Sequence, residues 1–313
     1  MEIWSEKYRP KKLDEIVGHK EIVSRLKGFV KEKGVPHMLF AGPAGTGKTT
    51  AALCIAHELY GDGWKASYLE LNASDARGID VIRNQVKDFA RTRTIGNAPF
   101  KIILLDEADA LTPEAQQALR RTMENYTNTT RFILSANYSS RIIDPIQSRC
   151  AVFRFSRLKA GEAKEMLEHI SKTEGVRIST EGLDAIMHIT EGDMRRSINL
   201  LQACAVHGKE VTDESVYAVA AQARPEDVKE MVMFAVERNF QDARKKLYDI
   251  LVNQGISGED VVKEIHRTIY GLTVEEAKKL RMIEALGDCE FRIDSGGDQM
   301  IQLEAYLAKL GVL

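Results

Sequence analysis

A chain of 313 residues and 35.1 kDa is longer than one compact core and fits two or three domains. Its 44% hydrophobic and 29% charged residues are those of an ordinary globular protein, and a formal net charge of −2 excludes a uniformly basic surface, so any nucleic-acid contact must come from a local basic face. No apolar run approaches the roughly 20 residues of a membrane span, Met1 to Lys7 lacks signal-peptide order, and Cys54, Cys150, Cys204 and Cys289 form no C-x-x-C. These features point to an intracellular protein with reduced thiols and no zinc site.

From Glu21 to about Ser156, apolar runs alternate with amphipathic helical stretches. Met38 to Ala41, Ser67 to Leu71, Lys101 to Leu105, Arg131 to Ala136 and Val152 to Phe155 are the expected strands, so the fold class is α/β with a mainly parallel sheet covered by helices. After the first run comes Gly42-Pro43-Ala44-Gly45-Thr46-Gly47-Lys48-Thr49, which satisfies G-x-x-x-x-G-K-[ST] in full, and Thr50 to Ala56 continues as a helix start. That context aims backbone N–H groups and the helix dipole at phosphates. Lys48 then reaches the β/γ-phosphates, and the Thr49 hydroxyl can ligate Mg²⁺, so the expected ligand is a nucleoside triphosphate with Mg²⁺.

Between Ile79 and Arg91, Ile79, Ile82, Val86 and Phe89 make a core-facing stripe, while Arg83, Lys87 and Arg91 recur at i, i+4, i+8 on a second face. Three cations in a row suit DNA phosphates; a solvated face, with Asp80 and Asp88 pairing locally, is the other reading. Ile102 to Leu105 ends in Asp106-Glu107-Ala108-Asp109. In phosphate-loop NTPases such a strand lies beside the loop, making Asp106 the metal candidate and Glu107 the general base. Asn137, at the tip of the next strand, stands between loop and acids and either reads the γ-phosphate or serves as a turn former.

Past Leu158 the text is helical only, with Glu162 to Lys172, Thr180 to Ile189 and Asp193 to Val206 first. Arg224-Pro225 then opens a bundle over Glu226 to Glu237, Phe240 to Val252, Gly258 to Tyr270, Val274 to Leu286 and Gln299 to Leu310. Ser295-Gly296-Gly297 resembles a flexible connection.

Trp4-Ser5-Glu6-Lys7-Tyr8-Arg9-Pro10, the phosphate loop, Asn72-Ala73-Ser74-Asp75, Asp106 to Asp109, Gln117 to Glu124, Ser148-Arg149-Cys150 and Gly192-Asp193-Met194-Arg195-Arg196 together resemble the replication factor C family of clamp-loader subunits, over the whole chain. The resemblance implies a RecA-like AAA+ nucleotide-binding domain over 1–157, a helical lid domain over 158–225 and an all-helical collar domain for oligomerisation over 226–313. It places Tyr8, Arg9, Pro10 and Val17 around the adenine and Gly42 to Thr50 around the phosphates. Asn137 becomes the first sensor and Arg195 the second. Arg149 becomes an arginine finger acting on a neighbouring subunit's ATP, which requires an oligomer. Arg83, Lys87 and Arg91 would line the surface that tracks primer–template DNA.

The implied activity is ATP hydrolysis coupled to opening a PCNA-type ring-shaped sliding clamp and loading it on primed DNA. The partners would be a replication factor C large subunit and further copies of the small subunit, in a pentamer that is cytoplasmic in an archaeal source and nuclear in a eukaryotic one. Three alternatives stand beside it. A branch-migration motor would share the AAA+ domain, and a DEAD-box helicase would need a second sheet domain where residues 158–313 read as helical. A non-hydrolysing structural subunit is opposed by the intact Lys48, Thr49, Asp106 and Glu107.

Overall fold

The computed structural model describes residues 2–74, 82–92, 99–208 and 210–313. Five strands, β1 (Met38–Ala41), β2 (Tyr68–Asn72), β3 (Lys101–Asp106), β4 (Thr130–Ala136) and β5 (Ala151–Arg154), form one parallel sheet in the order β2-β3-β4-β1-β5. Every expected strand is present, β1 with the expected bounds and the other four displaced by one residue at one or both ends. β1 is buried along its whole length, as the continuous apolar runs require of a parallel sheet covered on both faces.

On one face, Phe40, Ile102, Leu104 and Ile133 pack under the helices Lys20–Lys31 and Lys48–Tyr60; on the other, Leu39, Ile103, Phe132 and Leu134 pack against the helices Lys87–Arg91 and Pro113–Tyr126. Thr112 caps the last of these by accepting from Ala115 N–H, with Pro113 at its first position.

His37, 8% exposed, staples β1 to β4: its Nδ1 accepts from Phe132 N–H at 3.0 Å, while Nε2 faces Thr127 Oγ1 at 3.4 Å. An imidazole accepting at Nδ1 must be neutral, and burial, aided by Arg131, pushes its pKa down to about 4. The unfolded chain, titrating near 6.5, therefore binds more protons than the folded one between these values. The stabilisation is complete above about pH 6.5 and is lost as the pH falls toward 4, in all about 3 kcal/mol. His37→Gln should flatten the fall in thermal midpoint that the unaltered protein shows between pH 6.5 and 4.5; parallel curves would assign that acid sensitivity elsewhere.

By compactness the chain divides into two units, Met1–Arg177 with Thr190–Gln202, and Ile178–Ile189 with Ala203–Leu313. The second is helical apart from Ile178, which ends one short strand, and the short strand Glu210–Val211. Its core gathers Val228, Leu247, Ile265, Met282, Leu303 and their neighbours from the helices Pro225–Val236, Phe240–Tyr248, Gly258–Gly271, Glu276–Asp294 and Gln299–Leu310.

Two expected elements differ. The helix over Phe240 to Val252 gives way at Asp249–Asn253 to a wider π turn. The helix expected to end at Leu286 runs to Asp294, because Cys289 and Ile293 prolong the buried stripe of Met282 and Leu286. Gly296 and Gly297 make a defined turn, with φ of 91° at Gly296 and Gly297 N–H bonded to Arg292 O at 2.8 Å. All four cysteines are free, and burial raises the Cys54 and Cys150 thiols to about 12, which keeps them protonated and unreactive. Among the described residues no helix is long and apolar enough to cross a membrane.

Candidate active site

The site is built at the carboxyl ends of β1, β3 and β4, where open α/β sheets place ligands. β1 runs straight into Gly42, whose N–H donates to Ala136 O at the tip of β4. A Cβ on Gly42 would lie 2.0 Å from Phe155 O, and one on Gly45, at φ 70°, would lie 1.9 Å from an Asp193 carboxylate oxygen. The loop is thus pressed between the end of β5 and the start of the helix Met194–His207, whose Met194 N–H reaches Gly45 O at 3.3 Å. Only glycine fits both approaches.

Lys48 opens the helix Lys48–Tyr60 with its side chain curled back over the loop, 7% exposed. Its ammonium donates to Gly42 O at 2.7 Å, Pro43 O at 2.8 Å and Asn137 Oδ1 at 3.1 Å. Burial lowers its pKa, opposed by the nearby carboxylates Asp106 and Asp109. Beside it, the Thr49 hydroxyl donates to Asp106 Oδ2 at 2.6 Å.

The tip of β3 lies beside the loop as the sequence predicts, although β4 stands between β3 and the strand that carries the loop. Asp106 still meets Thr49 because the acid sits at the very tip of β3 and the helix Lys48–Tyr60 crosses that face of the sheet. β4 brings Asn137 between loop and acids, as its sequence position suggested.

Thr49 and Asp106 offer two hard oxygen donors. Among the described residues no group of three or more His, Cys, Asp or Glu side chains forms a metal cage. The donor set fits Mg²⁺, which keeps waters and takes substrate phosphate oxygens rather than an all-protein cage.

Glu107 is exposed, and its backbone sits in the left-handed region at φ 52°, with its N–H held by Asp106 Oδ1 at 2.9 Å. Such a conformation in a non-glycine residue is costly and concentrates at functional sites. Asp109 accepts from Asn137 N–H at 3.3 Å and Tyr138 N–H at 3.2 Å, and so fixes the amide against Lys48. Asp109 has no role legible in the sequence, because its separation of 28 residues from Asn137 carries no local signal.

A cleft continues from the loop and is lined by Tyr8, Arg9, Pro10, Val17, Ala44 to Thr50, Asp106, Glu107, Asn137 and Arg195. Leu158, Met166, Met194 and Ile198 add apolar wall that the sequence reading missed; Met194 and Ile198, four apart at a helix start, were its only trace. Gly42 and Pro43 hold Lys48 from behind instead of lining the cleft. Arg9 donates to Thr50 Oγ1 at 3.3 Å. Tyr8 O–H and Lys7 Nζ both donate to Glu174 Oε1, at 2.5 and 2.6 Å, and Trp4 N–H donates to Gln202 Oε1 at 2.9 Å. The bonds from Lys7 and Tyr8 hold the Glu174 carboxyl below its ordinary range, the Lys7 bond foremost.

The remaining candidates lie apart. Arg149 donates to Glu124 Oε1 and Pro145 O, both at 2.6 Å, and does not line the cleft. The DNA candidates sit on a π turn, Ile82–Val86, followed by the helix Lys87–Arg91. Lys87 is half-buried, and Arg91 is exposed with its Nε bonded to Tyr126 Oη at 3.1 Å. The side chains of Ile82 and Arg83, and all of Ile79 and Asp80, lie outside the described residues. Val86 is buried and Phe89 half-buried, as the stripe required.

Comparison with known proteins bears on the whole arrangement. Residues 38–158 match the model of the ATPase family associated with various cellular activities (AAA), and residues 223–309 that of the replication factor C C-terminal domain. The chain is 53% identical to the replication factor C small subunit of Methanococcus vannielii, over 99% of this chain and 98% of that one. It is 56% identical to those of Sulfurisphaera tokodaii and Staphylothermus marinus, over 99% of this chain and 95% of each. Among solved structures, the Thermotoga maritima RuvB Holliday junction branch migration motor superposes with a TM-score of 0.56 at 17% identity, covering 80% of this chain and 86% of that one, a likeness of fold alone. With both family models matched and identity above one half over nearly the full length of its relatives, the chain belongs to the replication factor C small-subunit family and is a clamp-loader ATPase subunit.

Proposed function

We propose that this subunit binds ATP with Mg²⁺ in the cleft, hydrolyses it across a subunit boundary, and uses the cycle to open a PCNA-type ring clamp and leave it on primer–template DNA. The observation that carries this reading is the meeting of Lys48 with Asn137 at 3.1 Å and Thr49 with Asp106 at 2.6 Å, which gathers phosphate, metal and sensor groups from three separate segments.

Tyr8, Arg9, Pro10 and Val17 take the purine end. Lys48 and the loop amides hold the phosphates, Asn137 and Arg195 contact the terminal phosphate from two sides, and Thr49 and Asp106 hold the metal. Magnesium supplies charge neutralisation on the phosphate oxygens. Glu107 orients the attacking water and takes its proton, while Arg149 serves the site of the next subunit. Arg83, Lys87 and Arg91 follow the DNA backbone without reading its sequence. The lid over 158–225 carries Arg195, and the collar over 226–313 joins this chain to further small subunits and a large subunit in a pentamer. The protein works inside the cell, in the cytoplasm of an archaeon.

Two measurements test this. Turnover of ATP by the chain, alone and with a large subunit, should rise when primed DNA and a ring clamp are supplied together; no response to either would overturn the loader reading. Lys48→Ala should weaken ATP binding about 10- to 150-fold, the loss of one hydrogen bond to a charged group. The fold should survive, because the ammonium meets only loop carbonyls and Asn137. Unchanged affinity would remove the phosphate role of the loop.

A further inference from the structure

Ser135, next to last in β4, is fully buried, and its hydroxyl has no hydrogen-bond partner among the described residues. A buried hydroxyl left unpaired costs free energy, so its retention calls for a state of the protein that uses it. The register of the sheet identifies the group it serves. Leu105 is level with Leu134, and one step further along the same ladder sets Asp106 level with Ser135; on the other side Ser135 is level with Phe40.

Level residues of adjacent parallel strands project to the same face, about 4.8 Å apart. Phe40, Ile102, Leu104 and Ile133 place that face against the helix Lys48–Tyr60. Asp106 obeys this parity, since its Oδ2 takes the Thr49 hydroxyl of that helix. Phe40, Ser135 and Asp106 thus form one row under the amino end of the phosphate-loop helix.

We propose that Ser135 is a positioning residue of the metal-holding pair, its hydroxyl donating to the Asp106 carboxylate when a divalent cation binds with nucleotide. The inference rests on the nucleotide-site reading above. Asp106 has capacity for the bond: Oδ2 accepts from Thr49 and Oδ1 from Glu107 N–H, and each carboxylate oxygen accepts two donors. Once Thr49 turns a lone pair to the cation, a second donor on Asp106 keeps the carboxylate plane from rotating. Because the hydroxyl is unpaired in the present arrangement, the bond adds to the affinity for the cation and not to that for the nucleotide alone.

ATP binding by the purified chain, titrated with MgCl₂ and separately in EDTA, tests this. Ser135→Ala should raise the Mg²⁺ concentration for half-maximal tightening about 10-fold, the lower end of what groups supporting metal ligands contribute. ATP affinity in EDTA should not change, and the thermal midpoint without nucleotide should not fall, since an unpaired hydroxyl is removed. Ser135→Cys restores the lost volume with a weak donor and should stay shifted like the alanine variant. A Mg²⁺ requirement within twofold of the unaltered chain, parallel losses in Mg²⁺ and EDTA, or full recovery by cysteine would each overturn the proposal, the last by tracing the effect to packing. If the unaltered chain bound no ATP in either condition, the nucleotide-site reading itself would fall.

Discussion

Arg149→Ala should lower ATP hydrolysis by the assembled complex about 10³- to 10⁵-fold, the worth of an arginine finger in NTPases that use one. ATP binding by each subunit should be nearly unchanged. The geometry makes this a sharp contrast: Arg149 lies outside the cleft of its own chain, exposed against Glu124 and Pro145 O, whereas Lys48, Thr49 and the cleft wall at Tyr8 to Pro10 are untouched. As a structural residue it would hold a surface ion pair worth only about 0–1 kcal/mol. A thousandfold kinetic loss with an unmoved thermal midpoint cannot come from that pair. Mixing settles which chain the guanidinium serves. Arg149→Ala and Lys48→Ala subunits, each inactive alone, should regain part of the activity when combined, because an interface joining an intact loop to an intact finger re-forms. Mixed rings that assemble and stay inactive would return Arg149 to its Glu124 contact.

Glu107→Gln should slow turnover about 10²- to 10⁴-fold, the usual share of a general base. The amide keeps the side chain's shape and loses only its capacity to take a proton. Glu107 is exposed at the cleft and touches neither Lys48 nor Thr49 through a hydrogen bond, so ATP affinity should hold and the complex should arrest with clamp and DNA bound. This is opposite in kind to Lys48→Ala, which fails at binding. Turnover near that of the unaltered chain would pass the role of the base to another group.

The strands and the phosphate loop could be read from sequence because their signals are local. A parallel strand buried on both faces is a continuous apolar run, and a loop that lets a backbone close on Phe155 O and Asp193 needs its glycines at fixed positions. What escaped was set by contacts distant in sequence. No periodicity reveals that β4 slots between β1 and β3, because strand order follows from how helices cover the two faces. Asp109 and Asn137 stand 28 residues apart. The left-handed turn at Glu107 occurs in a residue type that gives no hint of it. The π turns at Ile82–Val86 and Asp249–Asn253 were likewise invisible, because an extra residue per turn leaves the hydrophobic spacing almost as it was.

The anchoring of the N-terminal arm has a consequence for how the protein is made. Lys7 and Tyr8 are tied to Glu174, and the backbone of Glu2 and Trp4 to Gln202, across 166 to 200 residues of chain. During synthesis the phosphate loop leaves the ribosome about 150 residues before Gln202, roughly ten to thirty seconds at 5–20 residues per second. Through that interval a nascent chain carries the phosphate loop but not the finished cleft wall to which the proposed function assigns the purine. Closing so long a loop adds an entropic toll that short-range contacts do not. ATP that binds only the finished wall then stabilises the late contacts by mass action. Tight nucleotide binding therefore doubles as a sign that the first 202 residues have completed folding.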